Sequence, residues 1–167
     1  PLEGLGMGTR SGDIDPSAVE YIARKENLDM EGILNVLNKE SGAYGISGIS
    51  SDFRDLETAA EKGDKRAELA RSVFCYRAAK YIGSYITAMH GVDVICFTAG
   101  VGENDNGVRE EICSYFDYLG IEIDKNVNNS VRAVEVELTT KDSKIPVWMV
   151  PTNEELAICR ETVALVK

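Results

Sequence analysis

Up to residue 89 the apolar positions recur every three or four residues, the spacing of amphipathic helices. Asp15-Pro16 opens the first, with Asp as N-cap and Pro at the first helical position, and Val19, Ile22 and Ala23 form its stripe. Asp29 caps a second. Leu28 can staple onto Ile33, the residues Ile33, Leu34 and Leu37 face inward, and Gly42 ends the helix. Residues 41–50, rich in Gly and Ser, read as an ordered loop packed through Tyr44, Ile46 and Ile49. Ser51 or Asp52 caps a third helix closed by Gly63. Asp64 caps the longest, whose face carries Ala70, Val73, Phe74, Arg77, Tyr81, Ile82, Tyr85, Ile86 and Met89. At 1.5 Å per residue a helix of about 25 residues spans ~38 Å. Its tyrosine-rich stripe reads first as core and second as a subunit interface. His90 follows, where a histidine can meet the last carbonyls of the helix.

The pattern then changes. Val92–Phe97 is a short apolar run rich in β-branched residues, as expected of a strand buried on both faces. The chain turns through Gly100 and Gly102. A helix follows with Val108, Ile112, Phe116 and Leu119 on one face and Gly120 as its stop. Ile121-Glu122-Ile123 reads as a short strand and residues 124–130 as a loop. Val134, Val136 and Leu138 alternate with acids, as in a half-exposed strand. Residues 139–144 form a turn, and Ile145–Val150 is the last strand, with Pro146 near its start. Thr152 and Glu155 match a capping box for a final helix reaching about Val166. Helices around a few strands predict an α/β protein.

Composition narrows the function. A net charge of −10 argues against a nucleic-acid or anionic-membrane surface. No apolar run approaches a membrane span and no signal-peptide pattern is present, so the cytoplasm is the default compartment. Cys75, Cys96, Cys113 and Cys159 are scattered, which predicts reduced, mostly buried thiols. One histidine and no cysteine cluster argue against zinc. The chain opens on glycine-rich sequence rather than Met, as if entering the middle of a larger protein.

Three places could carry chemistry. Gly4, Gly6, Gly8 and Gly12 surround Arg10, which reads either as a surface arginine or as a cation held for a phosphate. The strand–glycine–helix junction at 97–104 could approach a nucleotide, or could simply turn the chain. It is neither a P-loop nor a dinucleotide fingerprint. If Glu155 serves the capping box, Glu154 is free either to hold Mg²⁺ or to be a solvated first-turn acid.

Four segments together carry a resemblance. Pro1–Pro16 (PLEGLGMGTRSGDIDP), Ser51–Arg54 (SDFR), Phe97–Asn104 (FTAGVGEN) and Pro151–Leu156 (PTNEEL) resemble, in order and spacing, the C-terminal portion of the acetate kinase family. The first motif is highly specific. The third alone would place the chain only in the broader sugar-kinase/Hsp70/actin superfamily. The resemblance covers essentially all of residues 1–167 and implies one nucleotide-binding part of that enzyme, with the N-terminal domain absent. Its fold would be ribonuclease H-like, an actin-like ATPase domain with a partial sheet flanked by helices. The implied reaction is reversible phosphoryl transfer between ATP and acetate, giving ADP and acetyl phosphate. Arg10 would stabilise the transferring phosphoryl group. Asp52, Phe53 and Arg54 would contact the adenosine, Gly100, Val101, Gly102, Glu103 and Asn104 would line the nucleotide site, and Glu154 would ligate Mg²⁺ or Mn²⁺. Family members usually carry glycine where this chain has Ala99. The resemblance further implies a homodimer and little activity for the segment alone. A propionate or butyrate kinase segment, or a non-catalytic dimerisation module, are the alternatives.

Overall fold

The computed structural model describes residues 2–166, so Pro1, the first residue of the opening motif, lies outside the described residues. The chain divides into two compact units, Pro1–Gly91 and Val92–Lys167.

The first unit is helical: α1 Pro16–Lys25, α2 Met30–Lys39, α3 Gly42–Ser47, α4 Phe53–Glu61 and α5 Lys65–Met89. The N-caps read from sequence hold. Asp15, Asp29, Asp52 and Asp64 each accept a hydrogen bond from a backbone N–H in the first turn of their helix. The α3 and α4 helices pack on α5, burying Ala43, Phe53 and Leu56 against Ala67, Ala70 and Cys75. Small residues on α5 let its neighbours approach closely. Its outer half is more open: Tyr85 and Met89 are exposed. The C-cap is His90 in the left-handed region at φ 61°, and its backbone N–H, rather than its imidazole, meets the carbonyls of Ile86 and Thr87.

Three expectations for this unit are corrected. Leu34 is exposed, because Ile33 and Leu37 alone occupy the buried line of α2. Gly42 does not end α2, whose C-cap is Glu40; it opens α3, so the Gly/Ser stretch is helical over 42–47. Tyr44 and Ile49 are exposed, and Ala43 and Ser47 are the residues that α3 buries. Gly42 is required there twice over. Its φ is +62°, and a Cβ would lie 2.2 Å from the carbonyl oxygen of Met7.

The second unit is a small mixed sheet with helices: β1 Ile95–Phe97, α6 Ala99–Asn104, α7 Asn106–Ser114, α8 Lys125–Ser130, β2 Val136–Glu137, β3 Val147–Met149 and α9 Glu154–Val166. Strand order is β1-β3-β2, with β1 parallel and β2 antiparallel to the central β3. Ile95 pairs with Val147 and Phe97 with Met149. These four are buried with Leu138, Val108, Ile112 and Phe116.

The strands are shorter than the sequence pattern predicts, and β1 is buried on one face only: Cys96 and Val94 are exposed. The thiols are therefore evenly split, with Cys75 and Cys113 buried and Cys96 and Cys159 exposed. Burial pushes the Cys113 thiol up to about 12. Ile121–Ile123 contributes a single bridge, Ile123 to Thr139, rather than a strand. The stretch after Asp124 is helix α8, capped by the Asp124 carboxylate on the N–H groups of Asn126 and Val127. The glycine turn is also a short helix, α6, opened by Ala99 at φ 59°.

Gly42→Ala is expected to destabilise the first unit by at least about 2 kcal/mol, the left-handed cost plus overlap with Met7. Denaturant unfolding measures it, and a loss below about 0.5 kcal/mol would contradict the close approach.

Candidate functional site

In the first unit the glycine-rich loop is fixed from inside and outside. Met7 N–H donates to the Arg10 carbonyl at 2.9 Å and Asp13 N–H to the Gly4 carbonyl at 3.0 Å. From the neighbouring helices, the N–H groups of Ser41, Ala43 and Tyr44 donate to the carbonyls of Thr9, Met7 and Gly8, and Ser11 N–H donates to Leu37. Asp13 locks the end of the loop. Its carboxylate accepts from the Tyr81 hydroxyl and, at 2.6 Å, from Gly4 N–H. Those two bonds, the tyrosine's first, hold its carboxyl below the usual range. The Arg77 guanidinium donates to the carbonyls of Gly4 and Asp13.

Arg10 projects from this hydrogen-bonded loop. It is exposed and makes no ion pair with another described residue. An arginine fixed through its backbone, with its fork free, is suited to an anion with several oxygens.

The same loop approaches the second motif. A Cβ on Gly8 would lie 2.8 Å from the Ser51 carbonyl oxygen, so only glycine fits beside this segment. Asp52 has two partners. Its carboxylate accepts from Arg54 N–H at 2.9 Å, capping α4, and from the Arg54 guanidinium at 2.5 Å. The Arg54 guanidinium first, and then its N–H, lower the Asp52 carboxyl to about 2. The ring of Phe53 is buried edge-on against Phe74 with centroids 4.6 Å apart, which makes it a core residue. Of this motif, Asp52 and Arg54 lie towards solvent.

In the second unit the loops after two neighbouring parallel strands meet. Thr152 follows β3, and Glu103 lies in α6 after β1. The Glu103 carboxylate accepts from Thr152 N–H and from its hydroxyl, both at 2.8 Å. The same hydroxyl accepts from Ala99 N–H at 3.1 Å and lies 3.2 Å from the Thr98 hydroxyl. The Thr152 backbone bond, followed by its hydroxyl, holds the Glu103 carboxyl below its ordinary value.

The capping box is therefore corrected: Thr152 faces Glu103, and Asn153 caps α9 by accepting from Leu156 N–H at 2.9 Å. Glu154 takes the first position of α9 and is exposed. Gly100, Val101, Gly102 and Asn104 lie in α6, where Asn104 donates to the Gly100 carbonyl.

Two contributors have no sequence motif that assigns them this role. Thr152 fits a helix cap on sequence alone, and its partner Glu103 is 49 residues away. Arg109 is fully buried, donating to the Gly102 carbonyl at 3.0 Å and to Asn128 through Nε and a terminal nitrogen. Burial lowers its pKa. A signal existed: Arg109, Ile112, Cys113 and Phe116 fall on one helical line, and all are buried.

Among the described residues no group of three or more His, Cys, Asp or Glu could hold a metal. A lone exposed carboxylate such as Glu154 fits a divalent ion held mainly by phosphates and water, not one caged by protein.

This is an α/β protein whose candidate chemistry lies in a pinned glycine-rich loop and in the loops following parallel strands. It belongs to the acetokinase family, which matches residues 1–160. The chain is 63% identical over 166 residues to an acetate kinase of Agathobacter rectalis, covering 99% of this chain and 42% of that protein. It is 54% identical to an acetate kinase of Lachnoclostridium phytofermentans, over 99% and 42%. It thus spans less than half the length of these relatives.

The solved acetate kinase of Porphyromonas gingivalis superposes with a TM-score of 0.94 at 45% identity, covering 100% of this chain and 42% of that one. A propionate kinase of Francisella tularensis superposes at 0.86 with 42% identity, over 95% and 40%. The expected fold class, α/β of the actin-like ATPase type, is the fold of the solved acetate kinases.

The Asp52 carboxyl is expected to titrate near pH 2, against about 3.9 for an ordinary aspartate. Because its value is lowered on folding, its contribution to stability is complete above about pH 4 and is lost as pH falls through the folded value. Carboxyl NMR in wild type and Arg54→Ala checks this: removal of the guanidinium should move the midpoint up, and an unmoved midpoint would contradict the pairing.

Proposed function

We propose that this chain supplies the nucleotide- and metal-binding part of an acetate kinase, which transfers a phosphoryl group reversibly from ATP to acetate. A carboxylate oxygen of acetate attacks the γ-phosphorus, the bond to the ADP oxygen breaks, and acetyl phosphate and ADP result. The observation that carries this reading is the exposed, unpaired guanidinium of Arg10 on a loop fixed by its own backbone, in a chain of the acetokinase family.

In such a transfer negative charge spreads over the equatorial oxygens, and a preorganised guanidinium lowers the barrier by binding two of them. Its fixed loop means little reorganisation is needed as that charge develops. Asp52 and Arg54 contact the adenosine, with the Asp52 carboxylate holding Arg54 in place. Phe53 supports that pair from the core. Gly100–Asn104 line the nucleotide, and Glu103 acts mainly by fixing α6 to the loop after β3. Glu154 ligates Mg²⁺ or Mn²⁺. When bound, the ion offsets phosphate charge and orients the nucleotide. Residues 1–167 act as one nucleotide-binding part of a cytoplasmic homodimer.

A propionate kinase superposes nearly as well as the acetate kinases, so the acyl group is the element of this reading to test against longer acids. Acetyl phosphate formation by the intact protein, with acetate, propionate and butyrate compared, is the direct experiment. Arg10→Ala should lower kcat about a thousandfold, the usual worth of an arginine on a transferring phosphoryl group. ADP affinity should change little. A kcat within about tenfold of wild type would remove Arg10 from the chemistry. The 167-residue chain alone should form little or no acetyl phosphate.

A further inference from the structure

Thr152 saturates its hydroxyl. A threonine oxygen has one proton to give and two lone pairs to accept with. The proton goes to the Glu103 carboxylate at 2.8 Å, and one lone pair takes Ala99 N–H at 3.1 Å. That leaves the Thr98 hydroxyl, 3.2 Å away, as donor to the second. The Thr152 backbone N–H also goes to Glu103. Every direction of this side chain is spent on joining the loop after β1 to the loop after β3.

The next residue, Asn153, caps α9, and the one after it is Glu154. The first turn of α9 is thus attached to α6 through a short, hydrogen-bonded path. The α6 helix has a second, independent support, the Arg109 guanidinium on the Gly102 carbonyl. Loss of the Thr152 hydroxyl would leave α6 held from behind and α9 tied to it only through the Thr152 backbone bond to Glu103, which loosens the register between the two helices.

We propose that Thr152 is a positioning residue that couples metal binding to nucleotide binding, by setting Glu154 at a fixed place relative to the α6 backbone. This rests on the reading of Glu154 as metal ligand and of Gly100–Asn104 as nucleotide-lining. A single protein carboxylate has to meet an ion already carried by phosphates, so small displacements of α9 cost it the contact.

Calorimetric binding of ADP to the intact protein, with Mg²⁺ and with chelator, tests the coupling without relying on turnover. In wild type Mg²⁺ should tighten ADP, and Glu154→Gln should abolish that tightening. Thr152→Val should lose on the order of tenfold of it while metal-free ADP affinity stays near wild type. Thr152→Ser, which keeps the hydroxyl, should restore it. Thr152→Ala removes the same hydroxyl without adding a methyl in its place; it should act as Thr152→Val does and stands in for that variant if it does not fold. Wild-type metal dependence in Thr152→Val, with Glu154→Gln still defective, overturns the coupling alone and leaves the role of Glu154 standing. Equal loss of ADP affinity with and without Mg²⁺ also overturns it, making Thr152 merely structural. Indifference of wild type to Mg²⁺, or an unaffected Glu154→Gln, overturns the metal assignment and the coupling with it.

Discussion

A loop that presents a side chain to a ligand must first satisfy its own backbone. Unpaired N–H and C=O groups would otherwise bend the loop toward any partner within reach. Both candidate regions of this chain satisfy part of their backbone with protein groups. Around Arg10, the N–H groups of Ser41, Ala43 and Tyr44 take the carbonyls of Thr9, Met7 and Gly8, and Asp13 and Arg77 secure the end near Gly4. After β1, Thr152 takes the N–H of Ala99, and Arg109 takes the carbonyl of Gly102. What projects from such a loop is then free to be functional. Arg10 and Glu154, the two groups assigned the most direct work, are exposed side chains.

This division of labour sorts the motif residues. The acid of Asp52 and the acid of Glu103 are both lowered by hydrogen bonds to neighbours, and both act on protein partners. Phe53 is buried on Phe74. Such contacts hold the shape of a motif, and a motif alone does not distinguish them from contacts to the ligand.

Local signals were legible in the sequence. Asp15, Asp29, Asp52 and Asp64 cap because a short acid before a helical stripe needs only the N–H groups that follow it. The segments around Arg10, Asp52, the 97–104 junction and Glu154 carry the family's pattern. Tertiary demands were not legible. Gly42 looked like a stop because glycine ends helices, but here the Met7 carbonyl occupies the space of a side chain at the start of one. Thr152 and Glu155 fit a capping box, yet Glu103, distant in sequence, competes for Thr152 and leaves Asn153 to cap. The Asn-rich stretch after Asp124 has weak helix propensity, and Asn128 earns its place in α8 through Arg109 and the Asn106 carbonyl. The strands end sooner than the apolar pattern does because β-branched residues such as Val94 extend past the paired register.

Ala99 is the one residue of the bend after β1 whose chemistry opposes its geometry. An alanine at φ 59° is strained by about 1 to 2 kcal/mol relative to glycine, and the Thr152 hydroxyl on its N–H helps to keep it there. The methyl group thus represents unused thermal headroom, one nucleotide away from release in any alanine codon. A lineage selected for warmer growth could draw on it without touching a single buried side chain.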